Sequence, residues 1–195
     1  MRYADIKKCD VANGPGVRIS LFVSGCRHAC KGCFNKEAWD FEYGKEFTEG
    51  TIKEIIKLCS SSYINGLTIL GGEPFEPANQ EGIYPLVKAF REAFGTSKDL
   101  WIYTGFDFER DLMGWMDRYL PYTREIVESC DVVVDGPFIQ DLYKPALRFK
   151  GSSNQRLIEI DKYFESGEIV TWDADHPIID TVKRQILAEG RQEMA

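Results

Sequence analysis

Short apolar runs and amphipathic stretches alternate along most of this chain. VRISLFV (17–23) is rich in β-branched residues and predicts a strand, as do LTIL (67–70), DLWIY (99–103), DVVV (131–134) and RLIEI (156–160). Helical spacing fills the gaps. TEGTIKEIIKLC (48–59) opens on Thr48 as N-cap and places Ile52, Ile55, Ile56 and Cys59 on one face. NQEGIYPLVKAFREAF (79–94) does the same with Ile83, Leu86, Val87, Phe90 and Phe94, and Pro85 is expected to mark an irregular first turn. DFERDLMGWMDRY (107–119) aligns Phe108, Leu112, Trp115 and Tyr119. Near the end, Pro177 followed by Ile178, Ile179, Val182, Ile186 and Leu187 predicts a terminal packing helix.

Strands separated by helices predict an α/β fold with parallel strands and right-handed crossovers. Each strand runs into an unusual polar or glycine-rich stretch: SGCRHACKGC, then GGEPFEP, then YTGF, then DGPF. In parallel α/β folds such segments share the carboxyl edge of the sheet, where ligands bind. The four stretches are therefore expected to converge.

The 195 residues suit one domain with a sizeable core, and 44% hydrophobic with 28% charged residues is ordinary for a globular protein. A net charge of −7 argues against nucleic acid as the main partner. No apolar run reaches the roughly 18 residues of a membrane span, and MRYADIKKCD lacks the apolar centre of a secretory signal. A cytoplasmic location is expected. Thiols stay reduced there, so clustered cysteines point to metal rather than to disulfides.

Three of the six cysteines fall in CRHACKGC, with Cys26, Cys30 and Cys33 spaced C-x3-C-x2-C. Thiolates hold iron–sulfur clusters, and a four-iron cluster with three cysteine ligands keeps one iron open for chemistry. Two other readings fit the same residues. His28 could complete a Cys3His zinc site in a non-catalytic binding module, and Cys30 with Cys33 has the spacing of a thioredoxin-like pair. Cys59 ends an apolar stripe and reads as core.

C-x3-C-x2-C after a first strand, with GGEP (71–74) after the second, resembles the radical S-adenosylmethionine superfamily. Gly32 stands before the third cysteine and Phe34 follows it, whereas many members of that superfamily carry an aromatic residue just before this cysteine. The resulting CxxxCxGCFN pattern resembles a narrower group, the activating enzymes of anaerobic (class III) ribonucleoside-triphosphate reductases. NGPGVRISLFVSGC (13–26), YTGF (103–106), VDGPF (134–138) and RFKGSSNQR (148–156) extend the likeness to residues 5–160.

The resemblance implies a reduced 4Fe-4S cluster held by Cys26, Cys30 and Cys33, its fourth iron chelated by S-adenosyl-L-methionine. Reductive cleavage would give a 5′-deoxyadenosyl radical that takes a hydrogen from a glycine of the reductase. It further implies Gly32, Cys33 and Phe34 beside the nucleoside and Gly71, Gly72 and Glu73 at the methionine end, where glycines permit close approach and Glu73 can accept from an ammonium. Thr104 and Asp135 are weaker candidates for ribose or carboxylate contacts. Arg148, Lys150, Ser153, Asn154 and Arg156 either face the partner or form a solvated loop. A flavodoxin- or ferredoxin-type donor would supply the electron. Another glycyl radical enzyme, or a small molecule, is the alternative target.

A complete eight-unit barrel takes about 250 residues. The expected architecture is therefore a partial (βα) barrel of about five to six units over residues 1–160, with a C-terminal extension (161–195) packing on the same domain. An incomplete barrel leaves the open side that a macromolecular substrate needs.

Overall fold

The computed structural model describes residues 1–172. The terminal helix expected at 178–187 lies outside the described residues.

One seven-stranded sheet organises the chain, in the order β3-β1-β2-β4-β5-β6-β7. Its centre is four parallel strands: β2 (Arg18–Val23), β4 (Gly66–Gly71), β5 (Asp99–Tyr103) and β6 (Val132–Asp135). Antiparallel strands flank them, β1 (Arg2–Asp10) and the short β3 (Lys45–Glu46) on one side and β7 (Arg156–Glu159) on the other. The sheet is open. Five to six βα units is too high a count, because β1, β3 and β7 take up chain as antiparallel edges and leave four parallel strands.

α1 (Glu49–Cys59) connects β2 to β4 and starts as predicted. The Thr48 side chain accepts from the Thr51 amide, and Thr51 returns the bond to the Thr48 backbone in a reciprocal cap. α2 (Pro77–Phe94) connects β4 to β5 and begins with Pro77 in its first turn, where a missing N–H costs nothing. Pro85 therefore lies in the helix interior rather than in the first turn.

The next segment departs further from expectation. Phe108–Met116 is wound as a π-helix, capped by the Asp107 side chain accepting from the Arg110 amide, and it ends in the single turn α3 (Asp117–Tyr119). A wider turn brings every fourth residue to one face, so Phe108, Leu112 and Met116 are buried. Trp115 and Tyr119, expected in the stripe, face solvent. α4 (Thr123–Glu128) then leads into β6, and α5 (Ile160–Ser166) follows β7 directly.

α1, α2, the π-helix, α4 and α5 contribute to one core on one face of the sheet. Leu21, Leu67, Ile69, Leu100, Ile102 and Val133 alternate inward along the strands and meet Ile55, Ile83, Val87, Phe90 and Ile126. The opposite face carries a smaller apolar group, Trp101, Val132, Val134 and Leu157. Arg18 lies there too, fully buried, donating to Thr68 Oγ1 at 2.7 Å and to the Leu67 carbonyl at 2.9 Å, and paired with Asp99. The face without helices holds the cavity described next.

Candidate functional site

A cavity of about 470 Å³ opens at the carboxyl ends of the parallel strands. All four special stretches reach it through more than one residue, the fourth through Gly136 and Phe138. Cys26, Cys30, Cys33 and Phe34 line it from the loop after β2, Gly71, Gly72 and Glu73 from the end of β4, and Thr104 and Gly105 from the end of β5. The convergence expected from strand alternation is observed.

The cysteine loop is shaped by its own backbone. Gly25 (φ +93°), Ala29 (φ +50°) and Gly32 (φ +76°) reverse its direction, and the Cys33 amide donates to the Cys30 carbonyl at 3.1 Å. The Gly25 and Cys26 amides donate to the carbonyls of Ala38 and Trp39 at 2.8 and 3.2 Å, closing the loop on the turn Lys36–Trp39. Burial pushes the Cys26 thiol up to about 11. Burial also raises the Cys30 thiol, against the pull of a Phe138 backbone N–H. Both thiols must therefore lose protons to bind metal.

The sulfurs line the cavity rather than converge on a point. Among the described residues, no three Cys, His, Asp or Glu side chains close around a single metal ion. Three thiolates spread along one wall of the cavity suit a multi-iron group better than a single ion. His28 does not supply a fourth ligand through Nε2, which lies 2.9 Å from Glu73 Oε2, while its ring packs on Phe106 with centroids 4.5 Å apart. The bond to Glu73 raises the His28 pKa, with burial opposing.

Glu73 is only 1% exposed, and its carboxylate is fully engaged. Oε1 accepts from Thr104 Oγ1 at 2.8 Å and the Phe75 amide at 2.9 Å, and Oε2 accepts from the Gly105 amide at 2.7 Å. Glu73 thus ties three strand ends together. Gly71 and Gly72 permit the close approach: a Cβ on Gly72 would lie 2.7 Å from the Gly25 carbonyl oxygen and 2.9 Å from that of Ala38.

Three further residues of the carboxyl edge differ in their placement. Asp135 is buried away from the cavity, where it accepts from the Phe108 amide at 3.0 Å and is gripped by Arg156 at 2.5 and 3.1 Å. Gly32 sits behind the cavity wall, against the Gln140 side chain. Phe34 is 75% exposed and stands at the mouth, its ring 5.4 Å from that of Phe138 and 5.9 Å from that of Tyr143.

The segment 148–156 is largely a structural clasp. Gln155 accepts from the Gly151 and Ser152 amides and donates to the Gly136 carbonyl at 2.9 Å, and Asn154 donates to the Pro137 carbonyl at 2.9 Å. The Ser153 amide donates to the Leu142 carbonyl, Lys150 Nζ to that of Gln155, and the Arg148 guanidinium lies over the Phe149 ring. Sequence reasoning passed over Glu76 and Asn79. Glu76 accepts from the Arg27 amide at 2.9 Å and pairs with its guanidinium; Asn79 donates to the Ser24 and Glu73 carbonyls, both at 2.9 Å. Their only sequence signal is polarity at the start of an amphipathic helix.

Residues 12–158 match the family described as a 4Fe-4S single cluster domain. The chain is also similar to proteins named anaerobic ribonucleoside-triphosphate reductase-activating protein. That of Enterobacteria phage T4 is 41% identical over 157 residues, which is 80% of this chain and 93% of the phage protein. Those of Salmonella typhimurium and Escherichia coli K12 are 39% and 38% identical over 157 residues, 80% of this chain and 96% of each relative. With the cysteine triplet and the GGEP turn meeting in one cavity, this chain belongs to the family of anaerobic ribonucleoside-triphosphate reductase-activating proteins.

Proposed function

We propose that this protein activates an anaerobic ribonucleoside-triphosphate reductase, with Cys26, Cys30 and Cys33 holding a 4Fe-4S cluster and S-adenosyl-L-methionine bound beside it. The observation that carries the reading is the meeting of three cysteines of one loop with Gly71, Gly72 and Thr104 around one cavity. The family's relatives carry the corresponding name. When bound, the cluster and S-adenosylmethionine supply reductive carbon–sulfur cleavage and a primary carbon radical able to oxidise a glycine Cα of the reductase.

The chain's own residues bind, orient and exclude. Gly71 and Gly72 leave backbone surface open to the methionine end, and Thr104 borders the same space. The satisfied Glu73 holds that surface to the cysteine loop through His28, so its role in this reading is to position rather than to bind an ammonium directly. Phe34 and Cys33, which line the cavity, border the nucleoside, and Gly32 acts at one remove by turning the loop behind them. Asp135 acts through Arg156 and the start of the π-helix, at one remove from the ligand. The open sheet, with helices on one face and the cavity on the other, is in this reading a shortened radical S-adenosylmethionine barrel whose uncovered side admits the reductase.

No helix among the described residues is long and apolar enough to cross a membrane, which accords with a cytoplasmic enzyme. The test is anaerobic reconstitution followed by spin resonance. About four irons per chain, reductive release of methionine and a glycyl doublet in the reductase are expected. Cleavage without that doublet would move the target to another glycyl radical enzyme or a small molecule, and one zinc without iron would end the reading.

A further inference from the structure

The charge of this chain is unevenly placed. Residues 26–36 contain Arg27, Lys31 and Lys36 and no acidic residue, and residues 142–156 contain Lys144, Arg148, Lys150 and Arg156 and again none. The rest of the chain sets the other 17 basic residues against all 31 acidic ones. The two acid-free segments meet where the Phe34 ring lies 5.9 Å from that of Tyr143; Phe138 and Gln140, which also pack on the cysteine loop, precede the exposed Asp141. Beside the cysteine loop, basic residues therefore outnumber acidic ones on a strongly acidic protein, with Glu37 and Asp141 at the edges of the two segments.

Some of that charge is neutralised within the fold. Arg27 pairs with buried Glu76, and Arg156 with Asp135 and Glu109. Lys31, Lys36 and Lys144 are exposed and make no ion pair among the described residues. Lys31 lies between two of the proposed ligands, Cys30 and Cys33, and Lys36 follows the third. Glu37, which follows Lys36, accepts from the Tyr43 hydroxyl at 3.0 Å, and Asp141 stands three residues before Lys144.

We propose that Lys31, Lys36 and Lys144 form the docking surface for an acidic one-electron carrier protein. This rests on the activase reading, which requires an electron from outside the chain. One electron leaves the reduced carrier and enters the centre held by Cys26, Cys30 and Cys33; no proton or ligand is exchanged. The carrier needs only close approach to the ligand loop, and Lys31, Lys36 and Lys144, without ion pairs among the described residues, stand on and beside that loop. The reductase must instead insert a backbone segment into the cavity, past the aromatic mouth at Phe34. Complementary charge steers such encounters and is screened by salt.

The test uses the cluster-loaded chain with flavodoxin as the acidic carrier, and with photoreduced deazaflavin as a small reductant that needs no docking surface. Wild-type affinity for oxidised flavodoxin should fall steadily with added salt. The combined variant Lys31→Glu, Lys36→Glu, Lys144→Glu should bind at least about tenfold more weakly. The corresponding glutamine variant should fall between, and iron content should stay constant. Glycyl radical yield with deazaflavin should equal wild type. Unchanged flavodoxin affinity, or no binding by the wild type, overturns the proposal. So does an equal loss of glycyl radical with deazaflavin, which would assign the lysines to the reductase. Flavodoxin binding that behaves as expected while no reductant yields a glycyl radical would leave the docking surface standing and refute the activase reading.

Discussion

His28 Nε2 lies 2.9 Å from Glu73 Oε2, a contact that fastens the middle of the cysteine loop to the end of β4. Through its other contacts the same carboxylate holds Thr104 and Gly105 at the end of β5. One buried side chain thus sets the relative position of three cavity walls. Its charge is matched by hydrogen-bond donors on every side, which is how a buried carboxylate becomes tolerable.

Replacing Glu73 by Gln keeps the shape but turns an amide NH2 toward groups that are themselves donors. At least one of the Thr104 hydroxyl, the Gly105 amide and the Phe75 amide then lacks an acceptor. A loss of about 1–3 kcal/mol in unfolding free energy is expected. Denaturant titration of the apo-protein measures it, and an unchanged midpoint would show that these donors find other partners.

The three loop cysteines should behave differently from the other three. Cys26→Ala, Cys30→Ala and Cys33→Ala should each remove most of the iron and the visible charge-transfer absorbance after anaerobic reconstitution, with apo-protein stability changed by less than about 1 kcal/mol. Cys9 is exposed, and Cys9→Ala should load iron like the wild type. Cys130 is buried beneath α4 with its thiol 3.1 Å from the Ile126 carbonyl, so Cys130→Ser should cost stability while leaving iron content intact. Iron and sulfide analysis beside thermal melts separates the two classes.

Gly72→Ala brings a methyl carbon to 2.7 Å from one carbonyl oxygen and 2.9 Å from another, both main-chain and neither free to rotate away. Either the cysteine loop shifts or β4 ends early. A loss of more than about 2 kcal/mol and a fall in S-adenosylmethionine affinity are expected. Gly95 supplies the comparison, since a Cβ there meets nothing within 4 Å and only its φ of +53° resists substitution. Gly95→Ala should cost about 1 kcal/mol and leave ligand affinity unchanged, as read by calorimetric titration.

The site was legible because a parallel sheet forces successive strand ends together, so four short motifs far apart in sequence had to share an edge. The cysteine spacing and the glycines suggested the proposed chemistry through residue type alone. Partner choice was not legible. GGEP offers Glu73 as an exposed acceptor, yet its bonds run to residues 28, 75, 104 and 105, and no local pattern announces those distances. β1 was missed because most of RYADIKKCD is exposed or half-buried and the strand shows little alternation. The barrel count was too high for a related reason: local propensity predicts strands, whereas their direction and the edges they occupy follow from packing.

Trp172 provides the last test, at the edge of the described chain. Residues beyond α5 turn back along β7: the Glu159 amide donates to the Val170 carbonyl, Thr171 bridges Ile158, and the Trp172 amide donates to the Leu157 carbonyl at 2.7 Å. This return lays the Trp172 ring against Trp101 and Phe149, with centroids 5.4 and 5.8 Å apart. Phe149 holds a φ of +56°, and its carbonyl accepts from the Tyr103 hydroxyl at 2.8 Å. A bulky residue in that left-handed conformation is strained and persists only where its surroundings hold it. Trp172→Ala removes one wall of that support, just before Gly151 and Gln155, which line the cavity. A loss of about 2 kcal/mol is expected, with weaker S-adenosylmethionine binding and unchanged iron content. Trp172→Phe should recover most of both losses. Equal stability and affinity in the alanine variant and the wild type would show that Phe149 keeps its conformation without the C-terminal return.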